Sequence, residues 1–356
     1  MHLEDGKVPE EYRQYTGRKV AFITGGVVLL FILLVLSISV GAVRIPPIAV
    51  VKTLLGSSIS KQYDIIIRNI RLPQALTAIV AGIGLAVSGT AMQSILRNPL
   101  GSPFTLGISQ AAAFGAAFSV MVLGSGAMQS TVTDAVNISN PYLTTSVAFI
   151  FSLVGMGVIL LITRIRRASP EVMVLAGVAM GSLFTAGTMF LQYFADDVQL
   201  AAMVFWTFGD TARASWKELS FITVVVVLAS IFFMFNRWNY NAIDAGDETA
   251  NGLGVNVKRT RIFGMLVASV VTAIIVAFLG IIGFVGLVCP HIVRRLIGDD
   301  HRFLIPGTCI MGGILLLAAD TVARIMLAPH ILPVAILTSF LGAPVFIYLL
   351  IRGYRR

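Results

Sequence analysis

About ten separate runs of close to 20 apolar residues follow one another along this chain, with no soluble domain between them. A helix needs roughly 20 apolar residues to cross a bilayer. Lipid leaves only helices and closed barrels as spanning structures, and these runs are continuous rather than alternating, which excludes a barrel. Charged residues make up 12% of the 356, against about 25% in a soluble domain. The expected fold is therefore an all-α integral membrane protein of about ten transmembrane helices. The predicted spans are 20–41, 72–94, 103–124, 143–163, 172–194, 217–235, 262–280, 281–297, 303–327 and 334–351.

The formal charge of +9 would point to nucleic acid on a soluble protein. Here it reflects basic residues on inner loops. With the N-terminus inside, 18 of the 26 Lys and Arg fall on cytoplasmic segments, which favours both termini inside. Residues 1–19 are expected to form a hydrophilic cytoplasmic tail, and 20–356 the transmembrane domain. No short apolar core with a small-residue cleavage site follows the tail, so the first span is expected to remain as an anchor. Cys289 and Cys309 have no metal-ligand spacing.

The stretch Gly280–Arg295 is unusual for a span. Gly280, Gly283 and Gly286 recur at spacing three, and Pro290 and His291 sit where the apolar run turns basic. Such glycines let helices approach closely, and the proline bends or ends a helix. His291 has no second ligand at metal spacing. Spans seven and eight have almost no loop between them, so a short or re-entrant eighth helix is expected there.

Other polar positions stand out. Asn98-Pro99-Leu100-Gly101-Ser102-Pro103 reads as a tight turn between two helices or as a constriction at the cytoplasmic mouth. Asp320 and Arg324 lie four apart within span nine and read as an intramembrane ion pair, with an ion relay as the other reading. Residues 42–71 form a long outer loop with an expected amphipathic helix, 195–216 a second outer segment, and 236–261 the longest inner loop. No phosphate-binding GxxxxGK[ST] loop, HExxH or nucleophile elbow is present. The chain is expected to be no enzyme and to bind no cofactor and no metal.

An ordered set of blocks then carries a resemblance: Arg71-Leu72-Pro73, Ser88-Gly89 through Gln93, Asn98-Pro99-Leu100, Leu175-Ala176-Gly177, Leu253-Gly254, Gly283-Phe284-Val285-Gly286 with Pro290-His291, Asp300-His301-Arg302, Asp320 with Ala323-Arg324, and Gly342-Ala343-Pro344. Over residues 20–352 the sequence resembles the FecCD-type permease subunits of ABC importers for iron–siderophore complexes, haem and cobalamin, some of whose relatives carry oxyanions. The resemblance implies the type II importer permease fold and a homodimer in the cell membrane. It implies two ATP-binding cassette subunits on the cytoplasmic side and a substrate-binding protein outside. Gly246, Asp247, Glu248, Ala250, Leu253 and Gly254 match the loop that couples to the ATPase. Asn98, Pro99 and Leu100 match a cytoplasmic gate. Ser169, Pro170 and Glu171 fall where a second gate segment is expected, although a small hydroxyl pair is the usual content there. Arg71 matches an arginine that docks the binding protein, with Arg44, Lys52, Lys61 and Arg68 adding a steering field. Gln74 replaces a second arginine of that block. The function implied is passage of a metal chelate, and the competing reading is an ion-coupled secondary transporter.

Overall fold

A computed structural model describes residues 10–57, 60–125, 140–165, 169–327 and 330–353. Fifteen α-helices lie among the described residues, and the one strand-like contact is an isolated bridge. They are α1 (Glu10–Ser39), α2 (Pro47–Leu54), α3 (Lys61–Ile65), α4 (Leu72–Ile95), α5 (Ile108–Met121), α6 (Pro141–Ile165), α7 (Pro170–Phe194), α8 (Asp197–Thr207), α9 (Trp216–Phe235), α10 (Arg237–Asp244), α11 (Asp247–Gly252), α12 (Val257–Leu279), α13 (Val285–Ile297), α14 (His301–Met326) and α15 (Val334–Gly353). Seven helices are long and apolar enough to cross a membrane, with α3 and α4 joined through a π-helical stretch into one of them. Two further apolar helices, α5 and α15, are shorter.

The bundle is built around α4. Its residues from Pro73 to Ile95 are almost all buried, and α14, α12, α13 and α9 pack on it. Small residues make this possible. A Cβ added to Gly82 would collide with the Gly312 carbonyl of α14, and one added to Gly89 would collide with the Gly286 carbonyl of α13. In lipid, where apolar burial alone does not drive helices together, such close backbone contact supplies the packing energy. By contrast, α1 packs chiefly on α14, and only 11% of its apolar window is buried. Most of its apolar surface is therefore left uncovered by the rest of the chain.

Two predicted spans change in detail. Predicted span three, 103–124, opens as a 3₁₀ turn, Pro103–Leu106, and becomes α-helical only at Ile108. Ser102 and Thr105 cap that turn reciprocally, and Gly107 at φ 75° separates it from α5. Predicted span eight, 281–297, is helical only from Val285. Gly280 closes α12 at φ 83°, and Phe284 takes the left-handed conformation at φ 67°, so residues 280–284 form an irregular break. The expected amphipathic helix of the outer loop is two short pieces, α2 and α3. The second outer segment contains α8, begun by an Asp196–Gln199 capping box. The predicted hydrophilic tail is not separate from the first span where it is described: residues 10–19 are the opening turns of α1.

Candidate functional site

The sequence-predicted residues gather at the two ends of the bundle. At one end, α4 finishes at Ile95 and Arg97 takes φ 45°, turning the chain sharply. Asn98 then accepts the Leu100 amide on its Oδ1 at 2.9 Å, an Asx turn that fixes Asn98-Pro99-Leu100 as a compact projection. Beside it runs a cleft of about 680 Å³ lined by Asn98, Leu100, Phe104, Gln110, Ser182 and Met189 among others, with α5 and α7 as its walls. Among the described residues, none that lines this cleft is charged. Ser169 caps α7 by accepting the Val172 amide, with Pro170 and Glu171 in its first turn.

The loop expected to be inner, residues 236–261, holds α10 and α11. Gly246 at φ 118° makes the corner between them, and Gly254 at φ 81° ends the pair. Ala250 is fully buried with Ala242, Ile243 and Val257, whereas Leu253 is 70% exposed. Asp247 is tied back into the bundle. Arg261 of α12, 4% exposed, donates to it through both terminal nitrogens at 2.8 Å and to the Ile95 carbonyl through Nε at 3.1 Å. Arg97 lies 3.9 Å from the same carboxylate. The inner loop and the Asn98 turn thus share the last turn of α4.

Nearby, the buried Ser94 hydroxyl of α4 sits 3.2 Å from the Asp244 carboxylate and 2.9 Å from His301 Nε2, while His301 Nδ1 lies 2.8 Å from Asn241 Oδ1. Asp300 caps α14 through the Arg302 amide and pairs with the Arg302 guanidinium at 2.6 and 2.8 Å. Burial would raise its carboxyl, but the Arg302 and Asn241 hydrogen bonds outweigh that and hold it at about 2. Asp300-His301-Arg302 is one of the blocks that carry the family resemblance, whereas Ser94 and Asn241 belong to none of them. Their polarity next to apolar runs was the available signal.

At the other end, Arg71 is 6% exposed. It donates to the carbonyls of Ile38 at 2.7 Å, Ser39 at 3.4 Å and Val43 at 2.5 Å, and so closes the C-terminal end of α1. Its guanidinium therefore points into the bundle, while Arg44, Lys52, Lys61 and Arg68 are exposed. Asp320 and Arg324 approach to 3.1 Å. Asp320 Oδ1 also accepts Gln74 Nε2 at 3.0 Å and Thr211 Oγ1 at 2.5 Å, and Arg324 donates to Ser37. Gln74 is thus a buried partner of Asp320 rather than an outer contact.

The described residues thus form a helical bundle of several apolar spans, with a cleft at one end and an exposed loop clamped to the central helix beside it. Residues 29–352 match the FecCD transport family, and the chain belongs to that family. It is 54% identical over 352 residues, 98% of this chain and 99% of the other, to an ABC transporter permease protein of Methanocaldococcus jannaschii. It is 37% identical over 326 residues, 91% of this chain and 93% of the other, to the hemin transport system permease of Yersinia pestis. A solved inward-facing ABC transporter of metal-chelate type superposes with a TM-score of 0.80 at 30% identity, covering 93% of this chain and 98% of that one. The chain is an importer permease, a multi-pass membrane subunit of the ABC class.

Proposed function

We propose that the cleft beside Asn98 and Leu100 is one half of the passage for a metal chelate, completed by a second copy of this chain across a two-fold axis. The observation that carries this reading is the neutral lining of the cleft next to a rigid turn at its inner end. A bulky, weakly charged chelate needs a wide path without strong binding points. Likeness to a hemin permease and to a metal-chelate transporter supports that cargo class. Asn98, Pro99 and Leu100 form the inner gate, with Ser169, Pro170 and Glu171 at the start of α7 as its second segment.

The inner loop docks two separate ATPase subunits on the cytoplasmic side. Exposed Leu253 supplies an apolar knob, and Gly246, Asp247, Glu248, Ala250 and Gly254 shape its base. Movement of α11 reaches the gate through Arg261 and the last turn of α4. Outside, a substrate-binding protein docks on the cationic surface of Arg44, Lys52, Lys61 and Arg68. Arg71, placed in that role by the sequence resemblance, supports the surface by holding α1. The permease domain proposed for residues 20–356 takes in the opening turns of α1 from Glu10, both termini lie in the cytoplasm, and the bundle sits in lipid of the cell membrane. The ion-coupled alternative loses its one candidate, because the Asp320 carboxylate is 2% exposed and already engaged.

The test is reconstitution with the partner ATPase and binding protein, followed by ATP-driven uptake of haem and of an iron chelate. Replacing Leu100 with Trp should block uptake while leaving the complex intact. Uptake at the unsubstituted rate would remove the cleft from the pathway.

A further inference from the structure

Three irregular stretches meet at the outer end of the bundle. They are the end of α8, the break between α12 and α13, and the start of α15. Phe208 pairs in parallel with Ile281. The Asp210 amide donates to the Leu279 carbonyl at 2.8 Å, and the Ala335 amide donates to the Gly209 carbonyl at 3.2 Å. Arg213 closes the end of α8 by donating to the carbonyls of Phe205, Trp206 and Phe208. These bonds bind the junction to itself. A cleft of about 650 Å³ opens beside it, lined by Thr207, Phe208, Ile281, Ala335, Ser339 and Phe340.

One side chain ties the junction to the helices around it. Thr211, fully buried and two residues past Gly209, donates its hydroxyl to Asp320 Oδ1 at 2.5 Å. Asp320 belongs to α14. Its Oδ1 also accepts Gln74 of α4, and its Oδ2 faces Arg324, whose guanidinium reaches Ser37 of α1. A carboxylate accepts several donors at once and offers no proton to compete with them. An amide at the same place would turn an N–H toward Arg324 or toward Thr211.

We propose that Asp320 is the positioning residue of the outer closure, holding the junction through Thr211 against a frame made of α14, α4 and α1. This goes beyond an ion pair. Arg324 neutralises the carboxylate in lipid, and Thr211 is the load it carries. The inference rests on the passage proposed above and extends it outward to the cleft beside the junction. In that passage, loosening the Thr211 bond lets Phe208 and Ile281 drift and leaves the outer mouth partly open.

The test uses the full chain assembled with its ATPase in proteoliposomes, with Ser339→Cys as a reporter for a membrane-impermeant maleimide. Labelling is read above the signal of the protein that keeps Ser339. Thr211→Val keeps the volume and removes the hydroxyl. It should raise the labelling rate at least fivefold, and Thr211→Ser should restore the slow rate. In an Asp320→Asn background, Thr211→Val should add nothing further, because both act through one bond. Should Thr211→Val not accumulate, Thr211→Ala decides by the same comparison. Unchanged labelling in the folded valine or alanine variant, or fast labelling that serine fails to slow, overturns the proposal. Labelling needs no cargo, so an altered rate without haem uptake would count against the cargo reading alone.

Discussion

Arg261 holds Asp247 with two 2.8 Å hydrogen bonds and, in the same geometry, donates its Nε to the Ile95 carbonyl. One guanidinium thus joins the inner loop to the helix that ends at the Asn98 turn. Two parallel bonds to a carboxylate resist rotation as well as separation, and lysine cannot copy them. Arg261→Lys is expected to leave folding largely intact while uptake falls about tenfold and ATP hydrolysis by the assembled complex continues. Arg261→Ala should cost about 2 kcal/mol in addition, because it leaves a buried carbonyl unpaired. Parallel assays of uptake and hydrolysis on one preparation check this. Equal losses of both activities would mean that the clamp serves assembly rather than transmission.

Arg71 tests the outer assignment. Three main-chain carbonyls converge on its guanidinium, two from the last turn of α1 and one, Val43, from the loop that follows. Removing a buried charged donor from such acceptors costs roughly 3 kcal/mol. Arg71→Met should therefore lower the unfolding temperature clearly and leave the affinity for the binding protein unchanged. Arg44→Glu combined with Arg68→Glu should do the reverse: little change in unfolding, and weaker association at low salt, with the difference fading as ionic strength screens these exposed charges.

These two arginines show which features were legible in the sequence. The all-helical class and the order of the apolar helices follow from runs of apolar residues, a local property, although of ten expected spans only seven are long and apolar enough to cross a membrane among the described residues. The arrangement at Asn98 was also readable, since proline, glycine and an Asx side chain set a turn by themselves. A charge beside a span is different. Whether Arg71 meets a partner protein or the end of α1 depends on where residues 38–43 lie, some 30 positions earlier. The same holds for Gln74, whose substitution reads as a lost outer contact but whose amide meets Asp320, 246 residues away. The irregular backbone at 280–284 was expected only as a short or re-entrant helix. Its stability comes from pairing with residues 208–210, and no local signal records that pairing.

Asp300 predicts an acid limit. Its carboxyl ordinarily titrates near 3.8 and is held at about 2 by Arg302 and Asn241. A depressed carboxylate stabilises the fold above its ordinary value and loses that contribution as pH falls through the lower one. The group is partly exposed, so the contribution is discounted for screening to about 1 kcal/mol. Stability of the detergent-solubilised protein should drop between pH 4 and pH 2 by that amount. Asp300→Asn, which can still accept the Arg302 amide, should flatten this component of the curve. An unchanged slope in the variant would assign the acid loss to other carboxylates.

The three glycines at spacing three before the basic boundary should differ sharply in tolerance, although in sequence they look equivalent. Gly280 closes α12 at φ 83°, where a side chain is strained and where an added Cβ would stand 2.9 Å from the Trp206 carbonyl. Gly286 packs on α4, with its Cβ position 2.7 Å from the Leu85 carbonyl. Gly283 has no atom within 4 Å of its Cβ position and an ordinary backbone angle. Alanine at 283 should leave unfolding temperature and uptake within error of the parent. Alanine at 286 forces α13 off α4 at a cost of about 1–3 kcal/mol, typical of overpacking. Alanine at 280 adds left-handed strain of roughly 1 kcal/mol or more to its own close contact. A thermal-shift series on the three single variants orders them 283, then 286 and 280 together. Equal losses at all three would mean that the glycines serve helix flexibility rather than contact, because flexibility has no reason to spare the one position that faces open space.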